Sequence, residues 1–143
     1  MSDRATALPA ERYTLRFWEA LADGRVLLHR CERAGCGRAF FPPGPVCPHC
    51  GGRDVVWTEV DPDGRLYSFT RQHVTPPGFD APLVVGLTEL AAGPRLLTPI
   101  AADYGALAVG TPVEVVPAAP PGEVDRGDLA EYPYLEAVPV EPE

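Results

Sequence analysis

Two spacings of hydrophobic residues alternate along this chain. Between Thr14 and Gly24 the spacing is helical: Phe17, Trp18 and Leu21 fall at i, i+1 and i+4 on one face. Thr14 can cap the start, and Gly24 stands where a C-terminal stop belongs. Residues 1–12 are polar and aperiodic and are expected to form a loose lead-in. From Arg25 the pattern shortens to that of strands. Arg25–Arg30 reads as a strand that delivers the chain to Cys31, VVWTEV (55–60) begins the second half, and DPDG (61–64) is a turn signal. GRLYSFTRQHV (64–74), PLVVGLTEL (82–90), RLLTPIA (95–101), PVEVV (112–116) and YLEAVPV (134–140) follow, separated by Pro, Gly and Asp clusters. A short apolar stretch, Leu107–Val109, precedes the fourth of these runs. Five short strands with a small helical insert before the fourth is the pattern of an OB-type barrel. Pro99 and Pro139 cannot donate to a ladder, so they are expected at an edge or a bulge.

All four cysteines, Cys31, Cys36, Cys47 and Cys50, fall in the window CERAGCGRAFFPPGPVCPHC (31–50). Two close pairs joined by a proline-rich hairpin supply four thiolates to one tetrahedral ion, the construction of a zinc ribbon. Gly37 and Gly51 follow the pairs, where glycine lets the backbone turn tightly and aim amides at the sulfurs. Four thiolates leave no open position for a water, so the metal is expected to be structural. Rubredoxin-like iron and a pair of disulfides remain as alternatives, and His29 and His49 as substitute ligands. The first pair encloses four residues, Glu32–Gly35, where most ribbons have two, and this loop must bulge. The expected architecture is mostly β: a lead-in and helix over 1–24, a rubredoxin-like zinc ribbon over 25–56, and a five-stranded OB-fold barrel with an acidic C-terminal segment over 57–143.

Composition narrows the function. At 143 residues, 45% of them hydrophobic, the chain can bury the core of one ordinary domain or two small ones. The 18 prolines and 14 glycines argue against a helical bundle. No run of about 18 apolar residues is present to cross a bilayer, and MSDRATALPAERY has no apolar core of a signal peptide. A cytoplasmic protein is expected, and thiols in that reducing compartment favour metal over disulfides. The net charge of −8 disfavours nonspecific nucleic-acid binding. It is uneven: residues 12–71 carry nine Arg against seven acids, whereas residues 117–143 carry seven acids against Arg126 alone.

Catalytic constellations are absent from the sequence. With the thiols on metal no cysteine nucleophile remains, and Ser2 and Ser68 are the only serines, neither in a nucleophile elbow. Neither of the glycine-rich phosphate loops G-x-G-x-x-G and G-x-x-x-x-G-K-[ST] occurs, and Asp61 and Asp63 read as solvated turn charges. One strand carries candidate binding chemistry. With period two, Tyr67, Phe69, Arg71 and His73 share a face opposite Leu66, Ser68, Thr70 and Val74. Such a stripe either holds a base and a phosphate, as oligonucleotide-binding barrels do, or fills the barrel and its rim. Phe17 and Trp18 likewise either cover the small core beside the cysteines or dock on a partner.

The aromatic Phe17-Trp18 helix, GRVLL (24–28), FPP (41–43) before CPHCG (47–51), VVWTEVDPDGRLYSFTRQHVTPPGF (55–79) and the following Pro82 together resemble the DUF35 family, OB-fold proteins with a rubredoxin-like zinc ribbon. The resemblance runs from about Thr14 to Val116; the four-residue first knuckle and the acidic tail depart from it. It implies a non-catalytic accessory subunit in a hetero-oligomer with a thiolase-like, lipid-transfer-type or MaoC-class hydratase acyl-CoA enzyme of lipid, steroid or polyketide metabolism. It also implies that the barrel lies near a bound coenzyme A moiety. Phe17, Trp18 and Phe41 are the candidate contacts with that partner, and Tyr67, Phe69, Arg71 and His73 the candidate ligand contacts. The alternative is a free-standing OB-fold binder of acyl-CoA or of single-stranded nucleic acid.

Overall fold

The structure, a computed structural model, describes residues 9–120, 122 and 129–141, with the side chains of the first helix described from Thr14 onward. That helix, α1 (Pro9–Ala22), begins five residues before the expected start at Thr14. Proline is tolerated in a first helical turn, where its missing N–H would have no partner anyway. The expected lead-in is thereby corrected for residues 9–12; residues 1–8 lie outside the described residues. The C-terminal stop is as the glycine implied. Gly24 takes φ 76°, its N–H donates to Leu21 O at 2.9 Å, and Arg25 N–H donates to Ala20 O at 3.0 Å. This is a Schellman closure, which satisfies the last helical carbonyls.

The chain next forms β1 (Val26–Cys31), β2 (Ala39–Phe40) and β3 (Val55–Val60), an antiparallel sheet in the order β2-β1-β3. β3 pairs with β1 along its whole length, from Val26↔Val60 to Cys31↔Val55. It passes through Asp61 and Pro62 into β4, a turn fixed by the Asp63 N–H donating to Asp61 Oδ1 at 2.9 Å. The five barrel strands are β4 (Asp63–Gln72), β5 (Leu83–Leu90), β6 (Arg95–Pro99), β7 (Pro112–Ala118) and β8 (Tyr134–Pro139). They form one antiparallel sheet in the order β6-β5-β4-β7-β8. The sheet curls until its two outer strands meet: Ile100 bridges Ala137 in parallel, and Ala101 N–H donates to Ala137 O at 2.9 Å. Pro99 and Pro139 sit on these two outer strands, where a missing donor costs least. The helical insert before β7 is one 3₁₀ turn at Tyr104–Ala106, upstream of the apolar stretch Leu107–Val109 that marked it in the sequence.

The main core belongs to no single part of the fold. Phe17 and Leu21 of α1 and Val26 and Leu28 of β1 pack with Leu90, Leu96, Val115 and Leu135 of the barrel. A second cluster fills the barrel with Leu66, Ile100, Val113 and Ala137. Inside it the buried hydroxyls of Thr88 and Thr98 satisfy each other at 3.0 Å. Aromatic rings extend the main core in both directions. Phe41 lies 5.1 Å from Phe17, and Phe17 lies 5.1 Å from Trp18. Trp18 stacks on Tyr134 at 5.8 Å, and Tyr134 meets Phe79 at 5.9 Å. This row of five rings runs from the ribbon through α1 and β8 to the β4–β5 loop.

Phe17 is 1% exposed, so replacing it with alanine leaves a cavity at the junction of all three parts. Phe17→Ala is expected to destabilise the protein by about 3–5 kcal/mol, read as a shift in the urea midpoint at unchanged slope. A loss below about 1 kcal/mol would show that the junction repacks freely.

Candidate metal centre and barrel face

The four cysteine sulfurs lie within 4.8 Å of one another. Cys31 Sγ is 3.6 Å from Cys50 Sγ, and Cys36 Sγ is 3.8 Å from Cys47 Sγ. A zinc tetrathiolate with bonds of about 2.3 Å requires sulfurs about 3.8 Å apart, so the donor set fits one tetrahedral ion. The same separations far exceed the about 2.05 Å of a disulfide bond. Local backbone chemistry brings the pairs together. Cys31 closes β1, and its N–H donates to Arg38 O at 3.0 Å; Cys47 N–H donates to Gly52 O at 2.8 Å. Gly37 and Gly51 both adopt positive φ, 68° and 77°, and the amides that reach sulfur are those of His49 on Cys47 and Gly52 on Cys50, each at 3.4 Å. These N–H groups offset thiolate charge.

Cys31 and Cys47 are buried, Cys36 is intermediate, and Cys50 is exposed. Without an ion the thiols share protons unevenly. Cys50 is drawn down to about 7, chiefly by the Gly52 amide and further by the other thiols. The Arg33 backbone lowers Cys31, but burial and the other three thiols outweigh it and push Cys31 up to about 12. Neither His29 nor His49 belongs to the sulfur cluster. His29 is buried between Phe40 and Trp57, and its Nδ1 faces the backbone of Gly44, 2.8 Å from the carbonyl and 3.0 Å from the nitrogen. Burial lowers its pKa, partly offset by the hydrogen bond to Gly44. It fastens the proline-rich hairpin to β1.

The stripe on β4 is broken by a bulge, which corrects the single face expected from the sequence. Leu66 pairs with Thr88 but Ser68 pairs with Leu87, so Tyr67 is an extra residue with no opposite number. Period-two alternation resets there. Leu66 and Phe69 both turn inward to the barrel core, and Tyr67 is expelled outward, where Arg95 lies 3.6 Å above its ring. Arg95 in turn donates from Nε to Glu89 Oε2 at 2.9 Å. Phe69 and Arg71 stay together at the mouth of the barrel and meet a residue that no motif or spacing singles out. Tyr104, in the 3₁₀ turn, lies 5.4 Å from the Phe69 ring, with the Arg71 guanidinium 4.7 Å over its own. His73 follows the end of β4 and is exposed.

The aromatic contacts expected at a partner surface divide as well. Phe17 is spent on the internal core and has no surface left for a partner. Trp18 and Phe41 pack against that core while keeping part of their surface exposed. Phe41 also lines a cleft of about 220 Å³ between the ribbon and the β5–β6 turn, together with Phe40, Arg38, His49 and Pro94.

Residues 18–56 match the family model described as the ChsH2 rubredoxin-like zinc ribbon domain, and residues 57–117 match that of the ChsH2 C-terminal OB-fold domain. A solved structure titled Ltp2-ChsH2(DUF35) aldolase superimposes with a TM-score of 0.70 at 31% identity, over 93% of this chain and 98% of that one. The chain belongs to the DUF35 family. Among curated relatives, a probable enoyl-CoA hydratase alpha subunit of Thermomonospora curvata is 42% identical over 63% of this chain but only 28% of its own length. A DUF35 domain-containing scaffold protein of Pyrococcus furiosus is 29% identical over 57% of this chain and 60% of its own. The benzoylsuccinyl-CoA thiolase subunit BbsA of Thauera aromatica is 29% identical over 68% of both. The DUF35 chain thus spans less than a third of the hydratase subunit it matches. No helix among the described residues is long and apolar enough to cross a membrane.

Because β1 carries both a cysteine of the cluster and two residues of the main core, loss of the metal must disturb more than the ribbon. Protein purified without added metal is expected to carry about one zinc per chain and no visible colour. Removing that zinc should lower one cooperative melting transition of the whole chain, and two separate transitions would contradict the shared core. Ligation needs thiolates, so zinc should be released as pH falls, with protons taking its place.

Proposed function

We propose that this chain is a non-catalytic accessory subunit that binds and steadies an acyl-CoA enzyme of thiolase-like, lipid-transfer or MaoC-hydratase type. In this reading Cys31, Cys36, Cys47 and Cys50 hold one structural zinc. The observation that carries the proposal is the match over nearly the whole of both chains to the DUF35 component of an Ltp2-ChsH2 aldolase. It is supported by the naming of two relatives as subunits of acyl-CoA enzymes and of a third as a scaffold protein. The site chemistry agrees: four thiolates leave a zinc ion no vacant position for substrate or water. Trp18 and Phe41 are the aromatic contacts offered to the partner, and Phe17 supports them from below.

The cluster of Phe69, Arg71 and Tyr104 favours a second property, contact between the barrel mouth and a ligand bearing a ring and a phosphate, such as the coenzyme A moiety. The net charge of −8 weighs against single-stranded nucleic acid as that ligand.

Co-expression with thiolase-like and MaoC-like proteins encoded beside this chain should yield a stable complex and raise the partner's soluble yield or activity. Co-purification with none of them, or binding without any gain, would refute the accessory role. Titration with coenzyme A and with oligonucleotides tests the second property. Arg71→Ala is expected to weaken coenzyme A binding by about fivefold, in line with a loss of about 1 kcal/mol from one cation contact.

A further inference from the structure

The first cysteine pair encloses two more residues than a usual knuckle, and the structure gives the extra length a use. The chain from Arg33 to Cys36 is a β-turn: Cys36 N–H donates to Arg33 O at 3.0 Å, and Gly35 at its third position takes φ 87°, as a type II turn requires. The turn lays the Arg33 side chain across the second knuckle. Its Nη1 reaches Cys50 O at 3.4 Å. Its stem packs on Gly52, where a Cβ would lie 3.0 Å from Arg33 Cδ and 3.3 Å from Cys50 Sγ. The aliphatic stem and the Cys50 sulfur therefore flank the same point in space. Cys50 is also the only exposed cysteine of the four.

Four thiolates around a divalent ion carry a net charge of −2. The Gly52 and His49 amides supply only partial charges against it. Ligand exchange begins at the sulfur that water and protons reach, here that of Cys50. We infer that Arg33 is a positioning residue of the metal centre: its guanidinium, bonded to the Cys50 carbonyl, balances the tetrathiolate charge, and its stem braces the Gly52 side of the exposed Cys50, so that zinc leaves slowly. The inference rests on the zinc reading above and is independent of the partner enzyme.

The test uses the full chain loaded with one equivalent of Zn2+ and follows transfer of zinc to an excess of the chromophoric chelator 4-(2-pyridylazo)resorcinol at neutral pH. Arg33→Ala and Arg33→Gln should release zinc about tenfold faster than the wild type, the scale of effect typical of groups that support metal ligands. Arg33→Lys, which keeps the charge, should stay within about twofold of the wild type. Arg53→Ala removes another exposed ribbon charge and should also stay within about twofold. The gap between wild type and Arg33→Gln should narrow as sodium chloride is raised, because salt screens an exposed charge. Co2+-substituted variants should keep the absorption of a tetrahedral thiolate site, which separates faster release from a ribbon that has failed to fold. Equal rates for wild type and Arg33→Ala, rescue by Gln as complete as by Lys, or equal acceleration by Arg53→Ala would each overturn the role. A wild-type chain that holds no zinc overturns the zinc reading itself, and this inference with it.

Discussion

Phe17 touches every part of this molecule, and the fold depends on that contact. Its ring meets Phe41 of the ribbon hairpin and Trp18 of its own helix, and it shares a buried cluster with β1 and four barrel strands. The barrel has a small cluster of its own, but neither the helix nor the ribbon is large enough to bury a core alone. The ribbon's own cluster is Cys31, Phe40 and Cys47, and α1 has a single apolar face. Small units of this kind gain stability from a metal staple or from one another, and this chain has the shared core for the second and a four-cysteine donor set suited to the first. The ribbon sheet is fixed at one end by the sulfur cluster and at the other by Val26 and Leu28 in the shared core. A change at either end is felt at the other, because β1 is one continuous strand between them.

That coupling gives the surface its meaning. The proposed accessory role calls for contacts from several elements in a constant relation, and the row of rings from Phe41 to Phe79 is a physical means of providing it. Aromatic pairs add about 0.5–1.5 kcal/mol each beyond their buried area, and they are stiff. The exposed ion pairs contribute far less: Arg25 with Glu59 and Arg95 with Glu89 are roughly half in water and add fractions of a kcal/mol. The ring row also meets the β4–β5 loop at a point where Gly122 N–H donates to Gly78 O at 2.9 Å. The beginning of the acidic segment is thereby tied to the same framework.

Much of this arrangement was readable in the sequence, and the exceptions share a cause. All strands but the two-residue β2 emerged within about two residues of their observed ends, because alternation and turn residues are local signals. The clustering of the four cysteines was legible because close pairs joined by a short hairpin are a local signal. Tyr67 was misplaced because a bulge is decided by the partner strand: β5 offers Leu87 to Ser68, and nothing within GRLYSFTRQHV announces the extra residue. Tyr104 was missed for the same reason, since its ring gains a role only when the chain brings it beside Phe69 and Arg71. Phe17 and Trp18 are adjacent in sequence and were read as a pair, yet one is interior and the other partly exposed. Helical geometry separates neighbours by about 100°, and only the position of the barrel decides which of them is covered.

The same distinction between local and distant signals explains the long first knuckle. By spacing alone, Glu32–Gly35 is a defect in a ribbon, two residues that the metal does not need. In three dimensions the added length forms a turn that carries Arg33 onto the other knuckle, against the Cys50 carbonyl and Gly52 beside the most exposed cysteine. The chain also lacks lysine entirely, so the cation that lies there is the planar guanidinium, able to bond a carbonyl with one nitrogen while its stem covers apolar and sulfur surface. A centre with no open coordination position has no use for a longer loop in catalysis. The proposed use is retention of the ion, at one end of a strand whose other end carries Val26 and Leu28 of the shared core.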